Sequence, residues 1–474
     1  MLPHMMVALT LMSLTCGETP AVQVILTNKG LQYGKDACAA WIQDRLELIT
    51  FPDISGDIQI SIFGSIDYTL TGTTITKCDF PDPSVEFYED YTGFKTSISG
   101  LSVAVTGEIM AQWGIIKYSG SFNMAILGVD VTSVLELGKD ADGRLSVTSV
   151  SCDARIEDVD IQLNGGFRPA VKIFSSEHCR IFTLFTPQIC PTVKDSIVNL
   201  EYHLQAMNVS FDVNQDITVD LPLTNLSFIS ASSLNLGLKG EFYSTKMHTE
   251  PPFEPQPFMV PEQTGYMLSL GFSEFTLNSA SFGYYSAGLL QLLVNDSMIP
   301  SLSPVRLNTS SMGSFIPQLP KMYPGLLMDL QVYARDIPLF SFRPGVVELD
   351  LQGAIKAFAI QSNGTHIPLF KLNADSKLSG KVWIADGRLK GSMGMNNFTL
   401  TLAASDVGPF KRDNDRLGKG IYLPRLKHAE LVNTVLEVDT VSFNERHHIN
   451  VSVWPAEENG IMWIKCVFLP NRAL

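Results

Sequence analysis

The sequence predicts an α+β fold of two tandem β-rich domains, with amphipathic helices in the first, joined by a proline-rich linker. Three features point to it. The chain has 474 residues, too many for one ordinary hydrophobic core. Long stretches alternate apolar and polar residues with period two, interrupted by helical stripes. One short segment, 251–262, carries five prolines in twelve residues, and such a segment is stiff and extended.

The first sixteen residues, MLPHMMVALTLMSLTC, are a modest apolar run. Met5 to Leu14 read as the apolar region of a signal peptide, with cleavage near residues 16–20. The expected segmentation is a signal peptide over 1–18, a first domain over 19–245, the linker over 246–264 and a second domain over 265–474. No stretch reaches the ~20 apolar residues that cross a bilayer as a helix. Seven N-x-[ST] sequons, at Asn208, Asn225, Asn295, Asn308, Asn363, Asn397 and Asn450, agree with export and are the candidate glycosylation sites.

Leu31, Cys38, Trp41, Ile42, Leu46 and Ile49 recur near a period of 3.6, so 30–49 reads as an amphipathic helix that Pro52 forbids to continue. From 57 to 165 the period falls to two, as in Ile58, Ile60 and Ile62. Residues 135–150 read as a β-hairpin with Asp142-Gly143 in its turn. A second helix is expected over 191–207, with Pro191 in its first turn and Val193, Ile197, Leu200, Leu204 and Met207 as its stripe. Beyond the linker the chain is again β-rich, and 383–391 reads as a hairpin around Asp386-Gly387.

Apolar residues make up 45% of the chain and charged residues 17%, with positive mean hydropathy. That balance supplies large cores and argues against disorder. The net charge of −14 is uneven. Residues 18–240 hold 14 basic and 27 acidic residues, whereas 241–474 hold 20 and 21. The acidic first half repels phosphate-rich polymers, which disfavours nucleic acid as a partner. No nucleophile elbow, zinc helix, phosphate loop or dinucleotide turn occurs, so no enzymatic activity and no cofactor are expected. DNDRLGKG (413–420) begins like a calcium loop but fails, since Leu417 and Pro424 stand at ligand positions. His447-His448 is the one histidine pair and reads as a solvated loop, so no metal site is expected. With Cys16 in the signal, Cys38, Cys78, Cys152, Cys179, Cys190 and Cys466 remain. An oxidising compartment favours a disulfide among them, and spacing leaves the pairing open.

Several segments together resemble the family of bactericidal permeability-increasing protein, lipopolysaccharide-binding protein and the phospholipid and cholesteryl ester transfer proteins. These are VQVILTNKGLQYGKDACAAWIQDRLELITFPDISG (22–56), VSCDARIEDVDIQL around Cys152, QICPTVKDSIVNL around Cys190, LGLKGEFYS (236–244) with the proline-rich segment after it, LGFSEFTLNSASFGYYSAG (270–288) and KGIYLPRLKHAELVNTVLEV (419–438). The resemblance implies a boomerang of two barrels of twisted antiparallel sheet and long helix, joined by a central sheet, with an apolar pocket for phospholipid in each barrel. It implies a single structural disulfide, Cys152–Cys190. It further implies a secreted innate-immune protein whose partners are lipopolysaccharide or its lipid A, phospholipids and the bacterial outer-membrane surface, with bound phospholipid in place of any cofactor. Lipid transfer without lipopolysaccharide specificity is the alternative, and an extracellular carrier of small hydrophobic molecules is a third reading.

The chain departs from that pattern in places. Bactericidal members carry clustered bases at the tip of the first barrel, but the matching hairpin, GEIMAQWGIIKYSG (107–120), has Glu108 and a single base, Lys117. Trp113, Ile115 and Lys117 are therefore the candidate lipid-contacting residues, acting by apolar insertion more than by charge. Residues 167–188 stand where the family has a long helix, yet Pro169 and a β-branched run read poorly as one. No long helix is expected after Gly408, and the tail from about 439 departs from the family's closing strand.

Overall fold

The structure is a computed structural model and describes residues 18–46, 53–60, 64–164, 178–224, 228–261, 264–299, 303, 305–385, 388–410, 435–437, 449–455 and 461–468. The signal-peptide reading, Asn225, Asp386-Gly387, the 413–420 string and His447-His448 lie outside them.

The first half opens with β1 (Val22–Thr27) and α1 (Asn28–Leu46). Thr27 caps the helix, its Oγ accepting from the Gly30 N–H at 3.4 Å. On its flank, Lys35 pairs with Asp82 at 2.7 Å and Gln32 donates to the Val85 carbonyl at 2.8 Å, which fixes the helix beside the strand that contains Val85. The expected end at 49 lies outside the described residues.

Five long strands and a short one follow: β2 (Ile54–Ile60), β3 (Gly64–Asp79), β4 (Ser84–Tyr88), β5 (Gly93–Trp113), β6 (Ile116–Lys139) and β7 (Leu145–Asn164). They form an antiparallel sheet in the order β2-β3-β5-β6-β7, with β4 on β5. The 140–144 turn is held by Asp140, whose carboxylate accepts from the N–H groups of Asp142 and Arg144, with Gly143 at φ +80°. Period-two alternation puts Ile66, Leu70, Val105, Ile109, Phe122, Met124 and Val159 into one buried cluster on a single face.

Helix α2 (His178–Gln205) starts well before the expected Pro191 and runs through both Pro187 and Pro191. The expectation that 167–188 is not helical is thus corrected for its last eleven residues, 178–188. An interior proline costs a helix roughly 3 kcal/mol, and packing outweighs it here. Val193, Ile197 and Leu204 join Leu137, Val147 and Leu234 in a second cluster. A Cys152–Cys190 disulfide ties the helix to β7.

The chain continues through β8 (Ser210–Asp212), β9 (Ile217–Asp220), β10 (Phe228–Ile229), β11 (Ser233–Leu238) and β12 (Glu241–Ser244). After the linker come β13 (Leu268–Ser273) and α3 (Glu274–Ser286). The second half is built from β14 (Gln291–Val294), β15 (Leu327–Ala334), β16 (Leu339–Arg343), β17 (Val346–Ile360), β18 (His366–Ala385), β19 (Arg388–Ser405) and β20 (Val435–Glu437). These make a second antiparallel sheet, ordered β14-β15-β17-β18-β19-β20 with β16 on β17. Its core gathers Ile316, Leu319, Met328, Ala357, Leu369 and Leu400.

The tail supplies β21 (Ile449–Pro455) and β22 (Ile461–Phe468). Both join a sheet ordered β10-β11-β1-β13-β22-β21, which mixes strands from the two halves. β1 pairs with β11 on one side and with β13 on the other. The halves are therefore welded by backbone hydrogen bonds as well as by the linker.

Candidate lipid-contacting site

The β5–β6 hairpin turns at Gly114-Ile115, with Trp113 opposite Ile116. Gly114 has φ +58°, at the first central position, where two-residue hairpin turns of one common class require glycine. The Gln112 side chain donates to the Gly114 carbonyl at 3.1 Å and steadies the turn.

This turn lifts Ile115 entirely clear of the protein, at 99% exposure. Met110 and Ile116 are also exposed. Trp113 behaves differently. It is half-buried and packs against the apolar cluster of Ile109, Ala111, Tyr118 and Phe122 on the inner face of the sheet. The tip thus joins an outward apolar point to a buried apolar lining.

Lys117 is exposed and lies opposite Gln112, which lies in turn opposite Asp67, and Asp67 lies opposite Asp57. One base thus shares a row with two acids. Glu108 is exposed two residues before Met110 on the same strand. The described tip therefore carries no concentration of positive charge, as the sequence of this hairpin implies.

Two hydroxyls in this region lack hydrogen-bond partners among the described residues, those of Thr73 and Tyr118. Both residues are buried. Burial is the main cause raising the Tyr68 hydroxyl above its ordinary value, and the nearby Asp57 carboxylate adds to it. The inner face is therefore a poorly solvated apolar surface with isolated hydroxyls. That environment suits acyl chains bearing an occasional ester oxygen.

Among the candidate glycosylation sites, Asn208, Asn295, Asn363 and Asn397 are exposed. Asn308 is half-buried, and its Oδ1 accepts from the Ser311 N–H at 2.7 Å, capping a short helical turn. Asn450 lies on β21. No group of three or more metal-ligating side chains occurs among the described residues. No helix among them is long and apolar enough to cross a membrane.

The segment 236–244 acts as a joint. Lys239 pairs with the buried Glu241 at 2.8 Å, and the Phe242 N–H donates to Ser279 of α3 at 3.0 Å. Sequence reasoning marked this segment as distinctive but missed that it anchors α3.

Two large antiparallel sheets, one in each half, and a third antiparallel sheet that takes strands from both halves define a two-domain α+β architecture. The family models agree. The LBP / BPI / CETP family N-terminal domain matches residues 30–207, and the C-terminal domain of the same family matches 209–442. A bactericidal permeability-increasing protein from Sebastes schlegelii is 36% identical over 448 residues, covering 90% of this chain and 94% of that protein. A lipopolysaccharide-binding protein from Bos taurus is 27% identical over 450 residues, covering 91% and 93%. A crystal structure of lipopolysaccharide binding protein superposes with a TM-score of 0.53 at 23% identity, covering 96% of this chain and all of that one. The chain belongs to the LBP / BPI / CETP family and has its two-barrel α+β fold.

Proposed function

We propose that this is a secreted, non-enzymatic innate-immune protein that binds lipopolysaccharide, through its lipid A, and phospholipid. Its ligand surfaces are apolar, and its site of action is the bacterial outer membrane. The observation that carries the reading is the β5–β6 tip, where the wholly exposed Ile115 is linked through Trp113 to the apolar inner face. The names of the relatives supply the ligand class: one is a lipopolysaccharide-binding protein and another a bactericidal permeability-increasing protein. Inserting one large aliphatic side chain into a lipid surface contributes about 1.5–3 kcal/mol, enough to matter without any cluster of bases. Bound phospholipid takes the place of a cofactor. A signal peptide over 1–18, domains over 19–245 and 265–474 with a linker over 246–264, and glycans on exposed sequons complete the proposal.

Vesicles containing lipid A test it directly. Apolar insertion predicts binding that survives added salt, because screening removes only the electrostatic part. Ile115→Ser should weaken binding by about tenfold or more, while Lys117→Gln should change it little. Binding that disappears with salt, or that ignores Ile115→Ser, would overturn the apolar mechanism. Transfer of labelled phospholipid between vesicles without affinity for lipid A would assign the protein to lipid transfer instead.

A further inference from the structure

The second sheet carries a feature that the lipid reading leaves unused. Met328, Leu330, Ala357 and Leu372 face the core, so alternation turns Gln331, Tyr333, Lys356 and Lys371 to the opposite face. On that face Lys356 lies directly opposite Lys371, and Gln331 lies directly opposite Lys356. Like charges facing each other across a ladder destabilise a sheet. Both ammonium groups nonetheless hang over one ring, Tyr333, at 5.2 and 6.0 Å from its centroid.

Neither lysine has an ion pair among the described residues. The acids that share their face are already taken: Asp375 pairs with Arg335 at 2.5 Å, Asp329 contacts His366 at 2.9 Å, Asp350 pairs with Lys377 at 3.5 Å and Glu348 with Arg343 at 3.1 Å. Two unneutralised cations side by side are out of character in a chain of net charge −14.

Beside them opens a cavity of about 200 Å³, lined by Tyr285, Gly288, Gln291, Gln331, Tyr333 and Lys356 among others. Its wall is prearranged. Gln331 donates to Gln291 at 3.3 Å, Gln291 to the Gly288 carbonyl at 3.0 Å, and the Tyr285 hydroxyl to the Arg335 carbonyl at 3.1 Å. The volume falls below the roughly 300–1,000 Å³ of sites for drug-sized ligands, and Gln291, Gln331 and Lys356 give it polar walls. It suits a small polar body.

We propose that Tyr333, Lys356 and Lys371, with the adjoining cavity, bind a phosphomonoester of headgroup size. Two ammonium groups match a phosphate dianion, whereas a carboxylate would neutralise one. The cavity takes the alcohol portion of the ester. The phosphomonoester is either a free metabolite or the headgroup of a lipid, and the chemistry is shared.

Isothermal titration of the full-length protein with sn-glycerol 3-phosphate tests the site. Saturable binding is expected, weakened about tenfold or more in Lys356→Gln/Lys371→Gln. Removing facing like charges does not threaten the fold, and a melting temperature no lower than that of wild type checks this. A second variant, Lys356→Arg/Lys371→Arg, keeps the charge and should keep most of the binding. No saturation by the wild-type protein, equal affinity in the glutamine variant, or equal loss in both variants would overturn the proposal. Competition by phosphatidylcholine vesicles containing phosphatidic acid, and none by phosphatidylcholine alone, would mark the source as a lipid headgroup; no competition by either would mark it as a free ester. Ile115→Ser should leave this titration unchanged, so failure here and failure of the tip mechanism are separable.

Discussion

Tyr118 shows what a single atom contributes to the apolar interior. Its ring is buried, and its hydroxyl has no partner among the described residues. Leaving a buried hydroxyl unsatisfied costs on the order of 1–3 kcal/mol. Tyr118→Phe should therefore raise the stability of lipid-free protein by about 1 kcal/mol, read as a higher melting temperature. A fall instead would mean that water or a ligand oxygen serves the hydroxyl. Asp296 shows the opposite case. Its hydrogen bond from Arg306 is the largest cause holding the carboxyl below its ordinary value, and the Leu307 N–H also donates to it, at 2.7 Å. A carboxyl depressed in the folded state adds stability above its unfolded value and loses it as pH falls through the lower folded one. Asp296→Asn should therefore lower the melting temperature at neutral pH. The gap from wild type should close in acid below the usual carboxylate range. Neither residue was legible in the sequence. Both effects depend on partners, or their lack, that only the folded chain brings together. Trp113 and Ile115 were legible as a pair because 107–120 resembles the family's tip hairpin and carries apolar residues where bactericidal members carry bases. Their division into one anchor and one exposed point was not, since burial depends on what packs behind the hairpin.

At the scale of elements, period and punctuation carried most of the fold. The hairpin over 135–150 follows from Asp142-Gly143 and the alternation around it, and β6 and β7 pair there as that pattern implies. The start of α2 did not follow from sequence. Local rules place Pro191 in a first turn, yet the helix passes through it. What local propensity could not register is the long-range fastening of that helix. Ile197 is buried against the first sheet and the central sheet, and Cys190 is bonded to Cys152 of β7. The bond closes a loop with a sequence separation of 38 residues, for which chain entropy gives roughly 4 kcal/mol. Replacing both cysteines by alanine should lower stability by about that amount. The loss should appear first as faster hydrogen exchange in 189–205, because α2 is the element released. Unchanged exchange there would show that apolar packing alone holds the helix.

At the scale of the whole molecule, the linker is a strap more than a hinge. Gln23 of β1 donates to the Phe258 carbonyl at 2.5 Å and accepts from the Val260 N–H at 3.2 Å. Val260 is buried against Ile25, and Phe253 meets Phe275 of α3 edge-on. Gly271 makes room for this passage, since a Cβ there would lie 2.3 Å from the Val260 side chain. Composition announced a stiff connector but could not show that it lies flat on the sheet it connects. The sheet itself has the larger consequence. Because β1 sits between β11 and β13, the two halves share one hydrogen-bonded ladder that does not depend on chain continuity at the linker. A protease site engineered within 254–257 and cleaved in the folded protein should leave both fragments in one particle by size exclusion. Separation should require denaturant. Gln23→Ala, which strands the Phe258 and Val260 backbone groups at a cost of about 1–3 kcal/mol, should speed cleavage of that site without releasing the fragments. Fragments that part on cleavage alone would show that the covalent linker, and not the shared sheet, holds the halves together.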